Sequence, residues 1–155
     1  MAYHRFITKL IASFFYVGYL PLIPGTFASL AGLGVYFLVK DDPFNYFFAA
    51  SVLIVLGFVV GDEAEKVFNK KDDRRIVIDE VCGMLVALAF LPFDARLVFW
   101  AFFLFRAFDT LKPAPAYSLQ KIRGGAGVML DDIIAGVYTN ILLQVVWRVA
   151  TFRGS

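Results

Sequence analysis

Two long apolar segments without charge in their middle limit what this chain can fold into. Residues 44–61 contain no charged side chain and approach the ~20 residues that a helix needs to cross the hydrocarbon core of a bilayer. Residues 133–150 form a second such segment, with Arg148 close to its end. The chain of 155 residues is 60% hydrophobic and 18% charged. Because a soluble domain of this size leaves much of its surface exposed, the sequence predicts a small integral membrane protein.

Shorter apolar segments predict the remaining helices. Residues 27–39 form one short helix, and residues 81–105, interrupted at 91–96, form two helices in a tight hairpin. Residues 5–16 carry Arg5 and Lys9 among large apolar side chains, as expected of a helix in the membrane interface. We therefore predict an all-α fold, a small membrane bundle with an N-terminal interfacial helix and about four to five short apolar helices, as one domain over 1–155. Connections are expected over 17–26, 62–78 and 106–131.

The distribution of basic residues predicts an orientation. If the N-terminus is cytoplasmic and the helices alternate in direction, 11 of the 15 basic residues fall on the cytoplasmic side and 4 on the other. This asymmetry follows the positive-inside rule. The cytoplasmic set is Arg5, Lys9, Lys66, Lys70, Lys71, Arg74, Arg75, Arg106, Lys112, Lys121 and Arg123, and the opposite set is Lys40, Arg96, Arg148 and Arg153.

The inventory of reactive side chains excludes several kinds of chemistry. The chain has one histidine, His4 at the N-terminus, and one cysteine, Cys82. An internal disulfide is impossible, and a zinc site built from Cys and His is not expected. The net charge of +2 is too small to indicate nucleic-acid binding. Cys82 itself lies in an apolar helix, where a small packing residue is a better interpretation than a nucleophile.

Two acidic pairs occur where apolar helices are expected to begin. Asp79 and Glu80 precede the segment 81–91, and Asp131 and Asp132 precede 133–150. Acidic residues at helix starts are often caps, and each pair alone is consistent with that role. Capping needs only one acid, however, and four converging carboxylates would repel one another. A hard divalent cation, Mg²⁺, Mn²⁺ or Ca²⁺, would neutralise them with oxygen ligands alone.

A third cluster lies at the end of the second hairpin helix. Arg106, Asp109 and Lys112 follow one another at intervals of three residues, just before Pro113. This spacing predicts that Asp109 has both basic residues as neighbours on one helix face. The cluster is consistent with a structural ion pair whose basic side chains reach the interface. It is also consistent with a phosphate clamp, which we favour because ionisable groups bordering a membrane bundle are usually functional.

Two glycine-containing segments are candidate anion sites. Thr26 in the sequence Pro24-Gly25-Thr26 suits the N-cap of the helix that follows, and a helix N-terminus offers free N–H groups to an anion. Taken alone, this segment is better explained as a plain capped turn. The glycine-rich stretch 124–127 next to Asp131 is expected to be a loop flexible enough to wrap an anion. Asp62, and either Asp72 or Asp73, are possible further ligands, although nothing local assigns them.

Four motifs together resemble a known family. GYLPLIPGT at 18–26, IVIDEVCGM at 76–84, FRAFDTLKPAP at 105–115 and GGAGVMLDDIIAG at 124–136 resemble the phosphatidylglycerophosphatase A family, over almost the whole chain. The resemblance implies a bacterial inner-membrane enzyme with its active site on the cytoplasmic face. It also implies Mg²⁺-dependent hydrolysis of phosphatidylglycerophosphate to phosphatidylglycerol and phosphate, with membrane lipids as surroundings and with no protein or nucleic-acid partner.

The resemblance also implies roles for the matching positions. One or two Mg²⁺ ions would be held by the two acidic pairs, Gly25 and Thr26 would bind phosphate, and Arg106 and Lys112 would bind it and neutralise its charge. Asp109 would orient water or protonate the leaving oxygen, although a covalent aspartyl phosphate is an alternative. The metal ligands expected in this way are Asp79, Glu80, Asp131 and Asp132.

Two other functional classes compete with the enzyme. A transporter or channel would use the carboxylates as an ion pathway, but the segments 44–61 and 133–150 carry no charge in mid-span. A non-catalytic membrane scaffold would tolerate replacement of all four metal-site acids by amides. The sequence leaves open the oligomeric state, which short helices cross the bilayer and the selectivity among lipid phosphates.

Overall fold

The computed structural model describes residues 2–71, 73–119, 122 and 124–152, and every regular element in these ranges is helical, as predicted. Asp72, Lys121, Arg123 and Arg153, which entered the sequence predictions, lie outside the described residues. The elements are α1 (Ala2–Ala12), a 3₁₀ turn (Val17–Tyr19), α2 (Pro24–Val39), α3 (Pro43–Phe68), α4 (Ile78–Leu88), α5 (Ala95–Leu111), α6 (Ala116–Leu119) and α7 (Gly125–Phe152).

The predicted helices exist, but several of their ends were wrong. α3 continues to Phe68 instead of ending near residue 61, and α7 begins at Gly125 instead of residue 133. The expected connection over 106–131 therefore holds the end of α5, the short α6 and two turns of α7. A charged side chain does not end a helix as long as the backbone carbonyls keep their hydrogen bonds within the helix. The real stops are left-handed residues at Asn69 and at Lys112, and Pro113 follows the second stop.

At the end of the bundle opposite the acidic pairs, helices are capped by side chains that directly precede them in the sequence. Asp42 accepts the N–H of Phe44 at 2.9 Å at the start of α3, and Asp94 accepts the N–H of Arg96 at 2.8 Å at the start of α5. Such side chains satisfy N–H groups that a helix leaves without a partner in its first turn. Because such caps depend only on neighbouring residues, a sequence pattern can reveal them.

The central helix of the bundle is α4, which is buried along nearly its whole length and packs against α2, α3, α5 and α7. Small residues allow these close approaches. A Cβ atom on Gly136 of α7 would lie 2.4 Å from the carbonyl oxygen of Gly83 in α4, and one on Gly32 of α2 would lie 2.9 Å from Met84. The glycines therefore let backbones meet where larger side chains would hold them apart.

Two helices, α3 and α7, are long and apolar enough to cross a membrane. In each, only 22% of the most apolar 18-residue window is buried inside the protein. A core helix of a soluble protein would be mostly buried, so these exposed apolar faces support membrane association. With a rise of about 1.5 Å per residue, the 11 residues of α4 span only about 16 Å. That length is well short of the bilayer core, which is about 30 Å thick.

The helices of the bundle alternate in direction. As a result, the N-terminal ends of α2, α4 and α7 lie at the same end of the bundle as the C-terminal end of α5. The opposite end carries two exposed ion pairs, Lys40–Asp41 and Asp94–Arg96. The alternation thus brings all four sequence motifs to one end of the molecule.

Candidate active site

The first turn of α4 carries the first acidic pair. The helix begins at Ile78, earlier than expected, so Asp79 and Glu80 lie inside it and the N-cap position belongs to Val77, whose side chain makes no capping bond. Asp79 is only 7% exposed. Carboxylate oxygens of Asp79 and Glu80 lie within 4.8 Å of each other and of an oxygen of Asp132. The pair therefore faces α7, and helix capping does not explain its orientation.

The second acidic pair lies in the second turn of α7, because this helix starts at Gly125. The expectation that Asp131 and Asp132 stand directly before their helix was wrong, and so they cannot cap it. Both are buried, with exposures of 5% and 3%. They occupy adjacent positions, and the structure gives them different partners.

Three of the four expected metal ligands come together as a compact cluster of Asp79, Glu80 and Asp132. One oxygen of each (Oδ1, Oε2 and Oδ2 in that order) is buried and accepts no hydrogen bond from the described residues. Buried polar atoms normally have partners. Three orphaned carboxylate oxygens in one place therefore fit the donor set that a hard divalent cation requires.

The electrostatics of the α4 carboxyls suit the binding of a cation. Burial raises the pKa of Asp79 well above its ordinary value, and the nearby charges of Glu80, Asp132 and Asp131 raise it further. Burial also raises the pKa of Glu80, with Asp109 adding to the effect and Arg106 opposing it. Ionised carboxylates at these positions repel one another. A bound cation would relieve that repulsion and keep them ionised.

Asp131 is paired with Lys112 across two helices. The Lys112 Nζ donates to Asp131 Oδ2 at 2.5 Å. Burial alone would lower the pKa of Lys112, but the bond to Asp131 and the neighbouring carboxylates raise it above its ordinary value. We predicted Asp109 as a neighbour of Lys112, and its charge does act on the lysine, but the ion pair of Lys112 is with Asp131. A role for Asp131 as a metal ligand stays a prediction, since it does not belong to the compact cluster.

The predicted neighbours Arg106 and Asp109 form an ion pair, with 2.6 Å between Nη1 and Oδ2. Their side chains are 24% and 14% exposed, so the pair is shielded but reachable from outside. The charges of Glu80 and Asp132 lie close enough to interact with Asp109. The guanidinium and the carboxylate cluster therefore border the same space.

The start of α2 forms the remaining wall through Gly25. A Cβ atom on this glycine would lie 2.5 Å from Glu80 Oε1 and 3.2 Å from both terminal nitrogens of Arg106. Only a glycine allows this approach without moving a side chain of the site. The prediction that Thr26 caps the helix was wrong, because α2 begins at Pro24 after the N-cap Ile23. Thr26 lies in the first turn, and its N–H donates to the Ile23 carbonyl at 3.1 Å.

The structure gives Asp62 a role that the sequence did not reveal. Its Oδ1 accepts the N–H of Gly125 at 2.6 Å, at the first residue of α7. The glycine-rich stretch expected to be an anion-binding loop instead begins this helix. The first N–H groups of any helix need hydrogen-bond acceptors. No spacing in the sequence, however, identifies an acceptor that lies 63 residues away.

Two other candidates have structural explanations. Asp73 binds the guanidinium of Arg75 at 2.7 Å, and that guanidinium lies over the ring of Phe68. Burial raises the pKa of Cys82 to about 12, with Asp132 adding to the effect, so its thiol is protonated at neutral pH. The prediction that Cys82 acts as a small packing residue agrees with its burial.

Together these side chains form a site with two halves of opposite charge. The carboxylates of buried Asp79 and Asp132 and of half-buried Glu80 can hold a divalent cation. Arg106 and Lys112 lie next to them with partly exposed side chains. This combination suits a phosphate monoester, because a cation and basic side chains can both neutralise its charge during transfer.

Comparison with known proteins agrees with this chemistry. The profile of the family described as phosphatidylglycerophosphatase A matches residues 10–147. A protein of Bacteroides thetaiotaomicron named putative phosphatidylinositol-3-phosphatase is 35% identical over 149 residues, covering 90% of this chain and 93% of its own. Phosphatidylglycerophosphatase A of Escherichia coli is 34% identical, covering 86% of this chain and 80% of its own. The enzyme of the same name from Haemophilus influenzae is also 34% identical, covering 86% and 85%. No solved structure matches the chain.

Proposed function

The chain belongs to the phosphatidylglycerophosphatase A family and is therefore a phosphatase, and we propose that it hydrolyses phosphatidylglycerophosphate to phosphatidylglycerol and phosphate with the help of Mg²⁺. The observation that carries the proposal is the convergence of the three-carboxylate cluster with two basic side chains at one end of the bundle. The two relatives named phosphatidylglycerophosphatase A support the choice of substrate.

The residues present fit a magnesium site. Asp79, Glu80 and Asp132 offer oxygen ligands only, three of them buried and without a hydrogen bond from the described residues. Asp131 adjoins Asp132 in sequence and completes the proposed set of ligands. When bound, one or two Mg²⁺ ions would supply Lewis-acid polarisation of the phosphoryl group.

The side chains of this protein supply the remaining functions. Arg106 binds the phosphoryl oxygens through the guanidinium nitrogens that face Gly25, and Lys112 adds a second positive charge. Thr26, in the same turn as Gly25, is proposed to hold a phosphate oxygen. Asp109 accepts a proton from the attacking water or donates one to the leaving glycerol oxygen. Its ion pair with Arg106 couples this group to phosphate binding.

The location of the site suits a lipid substrate. The apolar outer faces of α3 and α7 support a position in the membrane, and the site lies at the end of the bundle that carries most of the basic residues that the structure describes. We propose that this end faces the cytoplasm at the bacterial inner membrane, by the positive-inside rule. The acyl chains of the substrate would then remain in the bilayer while the phosphate enters the site.

The test is phosphate release by the purified protein from a panel of lipid phosphates in mixed micelles. The panel holds phosphatidylglycerophosphate, phosphatidic acid and phosphatidylinositol 3-phosphate, the last because one relative is named for a phosphatase of that type. We expect the first substrate to give the highest kcat/KM, with activity lost on chelation and restored by Mg²⁺. The Asp79→Asn variant should be inactive. Asp41→Asn, the same change at an exposed acid of the other end, should retain activity.

Three outcomes would contradict the proposal. A preference for phosphatidylinositol 3-phosphate would give the chain the activity for which the Bacteroides relative is named. Full activity of Asp79→Asn would remove the carboxylate cluster from the mechanism. Ion flux through reconstituted vesicles without phosphate release would favour the competing transporter hypothesis.

A further inference from the structure

Asp62 ties two membrane-length helices together at the level of the site. It lies on α3, and its Oδ1 accepts the backbone N–H of Gly125, the first residue of α7, at 2.6 Å. Its carboxylate thus caps a helix from a different helix, whereas Asp42 and Asp94 cap the helices that they directly precede. The bond is a charge-assisted one, which is stronger than a bond between neutral groups.

The packing around this bond leaves α7 little freedom to shift. A Cβ atom on Gly61 would lie 2.5 Å from the Cα of Gly125, and one on Gly125 would lie 2.1 Å from the carbonyl oxygen of Phe58. Gly124 has φ of +77°, and a Cβ there would lie 1.6 Å from Asp62 Oδ1. The α3 and α7 backbones are therefore in direct contact, and the carboxylate of Asp62 occupies the space where a side chain on residue 124 would be.

The hydrogen bond between Asp62 and Gly125 lies close to the site along a continuous helix. Seven residues separate Gly125 from Asp132, which is about 10 Å at a rise of about 1.5 Å per residue. A shift or rotation of the first turn of α7 is passed to Asp131 and Asp132, because the helix between them is unbroken. The Asp132 oxygen lies within 4.8 Å of its partners on α4, so a displacement of about 1 Å would disturb the cluster.

We propose that Asp62 is a positioning residue, which fixes the start of α7 and thereby holds Asp131 and Asp132 against α4. This inference rests on the proposed function, since it concerns the same carboxylates. Asp62 itself acts through the Gly125 amide and does not touch the substrate. The cluster of oxygens found within 4.8 Å of one another does not include it, which argues against its use as a further metal ligand.

The experiment compares Asp62→Ala with Asp62→Asn, and with Asp94→Ala as a matched control. The amide of Asn keeps an acceptor for Gly125, while Ala removes it. Asp94→Ala deletes a carboxylate cap of the same kind at the far end of the bundle. Each full-length variant is assayed for phosphate release from phosphatidylglycerophosphate, and hydrogen exchange is measured for the amides of residues 125–132.

We expect kcat of Asp62→Ala to fall at least ~10-fold with KM changed less than ~3-fold, because misplaced groups weaken transition-state contacts more than binding. Exchange at 125–132 should be faster in Asp62→Ala than in the wild type. Asp62→Asn should restore both measurements to within ~3-fold of the wild type, and Asp94→Ala should leave both unchanged.

A second variant keeps the proposal testable if Asp62→Ala does not fold. Gly124→Ala leaves the carboxylate present but displaces it, since the new Cβ overlaps Asp62 Oδ1, and it should lower kcat in the same way. Wild-type kcat in Asp62→Ala or in Gly124→Ala would overturn the proposal, as would equal losses in Asp62→Ala and Asp94→Ala. An inactive wild-type protein would instead contradict the proposed function.

Discussion

Replacing Gly25 by alanine separates the chemistry of the site from the stability of the fold. The new Cβ atom would lie 2.5 Å from Glu80 Oε1, whereas ordinary contacts begin at 3.4 Å, so the carboxylate must retreat by about 0.9 Å. The atom that moves is the far end of a flexible side chain, so the fold can adapt. Glu80, however, then leaves the position that it shares with Asp79 and Asp132.

The expected loss of activity follows from this displacement. A misplacement of about 1 Å in a catalytic group can reduce the rate about 100-fold, which corresponds to about 2.7 kcal/mol of transition-state stabilisation. We therefore expect kcat for phosphate release by Gly25→Ala to fall between about 10-fold and about 100-fold. The thermal midpoint should not fall, because alanine is favoured over glycine in a helix by up to about 1 kcal/mol.

Gly34 provides the matched control on the same helix. A Cβ atom at this position would meet nothing within 4 Å, so Gly34→Ala makes the same chemical change in open space. It should keep wild-type kcat with an equal or higher thermal midpoint, both measured in mixed micelles. Wild-type activity in Gly25→Ala would refute the argument that this glycine serves the site. An equal loss in both variants would refute it as well.

Three further predictions concern the groups around the site. Asp79→Asn and Asp131→Asn should each lower phosphate release at least ~100-fold, the scale of one lost electrostatic group, and purified variants with near-normal turnover would contradict this. Lys112→Met and Asp131→Asn should be non-additive in kcat/KM, with a coupling of about 1 kcal/mol or more because the residues are bonded; additive losses would remove the pair from the mechanism. Gly83→Ala would place a methyl group 2.5 Å from the ring of Phe105 and should lower stability by about 1–3 kcal/mol in denaturant titrations, so unchanged stability would show that the core is looser than the structure indicates.

The sequence was informative wherever local chemistry decides the structure. The two apolar segments without charge in mid-span identified α3 and α7, and the interruption at 91–96 identified the hairpin of α4 and α5. The spacing of Arg106 and Asp109 predicted their ion pair, because neighbours on one helix face depend on helical geometry alone.

Predictions failed where distant parts of the chain decide the structure. The start of α7 was placed eight residues too late, since its first turn is capped from α3 by Asp62. The spacing placed Asp109 beside Lys112, but it did not reveal that Asp131 on α7 forms the ion pair with this lysine. The closeness of Gly25 to Glu80 and Arg106 also depends on how helices cross, which no local pattern records.

The central claim is that the carboxylates of Asp79, Glu80 and Asp132 hold a divalent cation. Electron paramagnetic resonance can count Mn²⁺ bound to metal-free protein as a substitute for Mg²⁺, in the wild type, in Asp79→Asn and in the control Asp41→Asn. We predict one or two bound ions in the wild type and in Asp41→Asn, and binding weakened at least ~10-fold in Asp79→Asn, as expected when an oxygen ligand is lost. Equal Mn²⁺ binding by all three proteins would contradict the account.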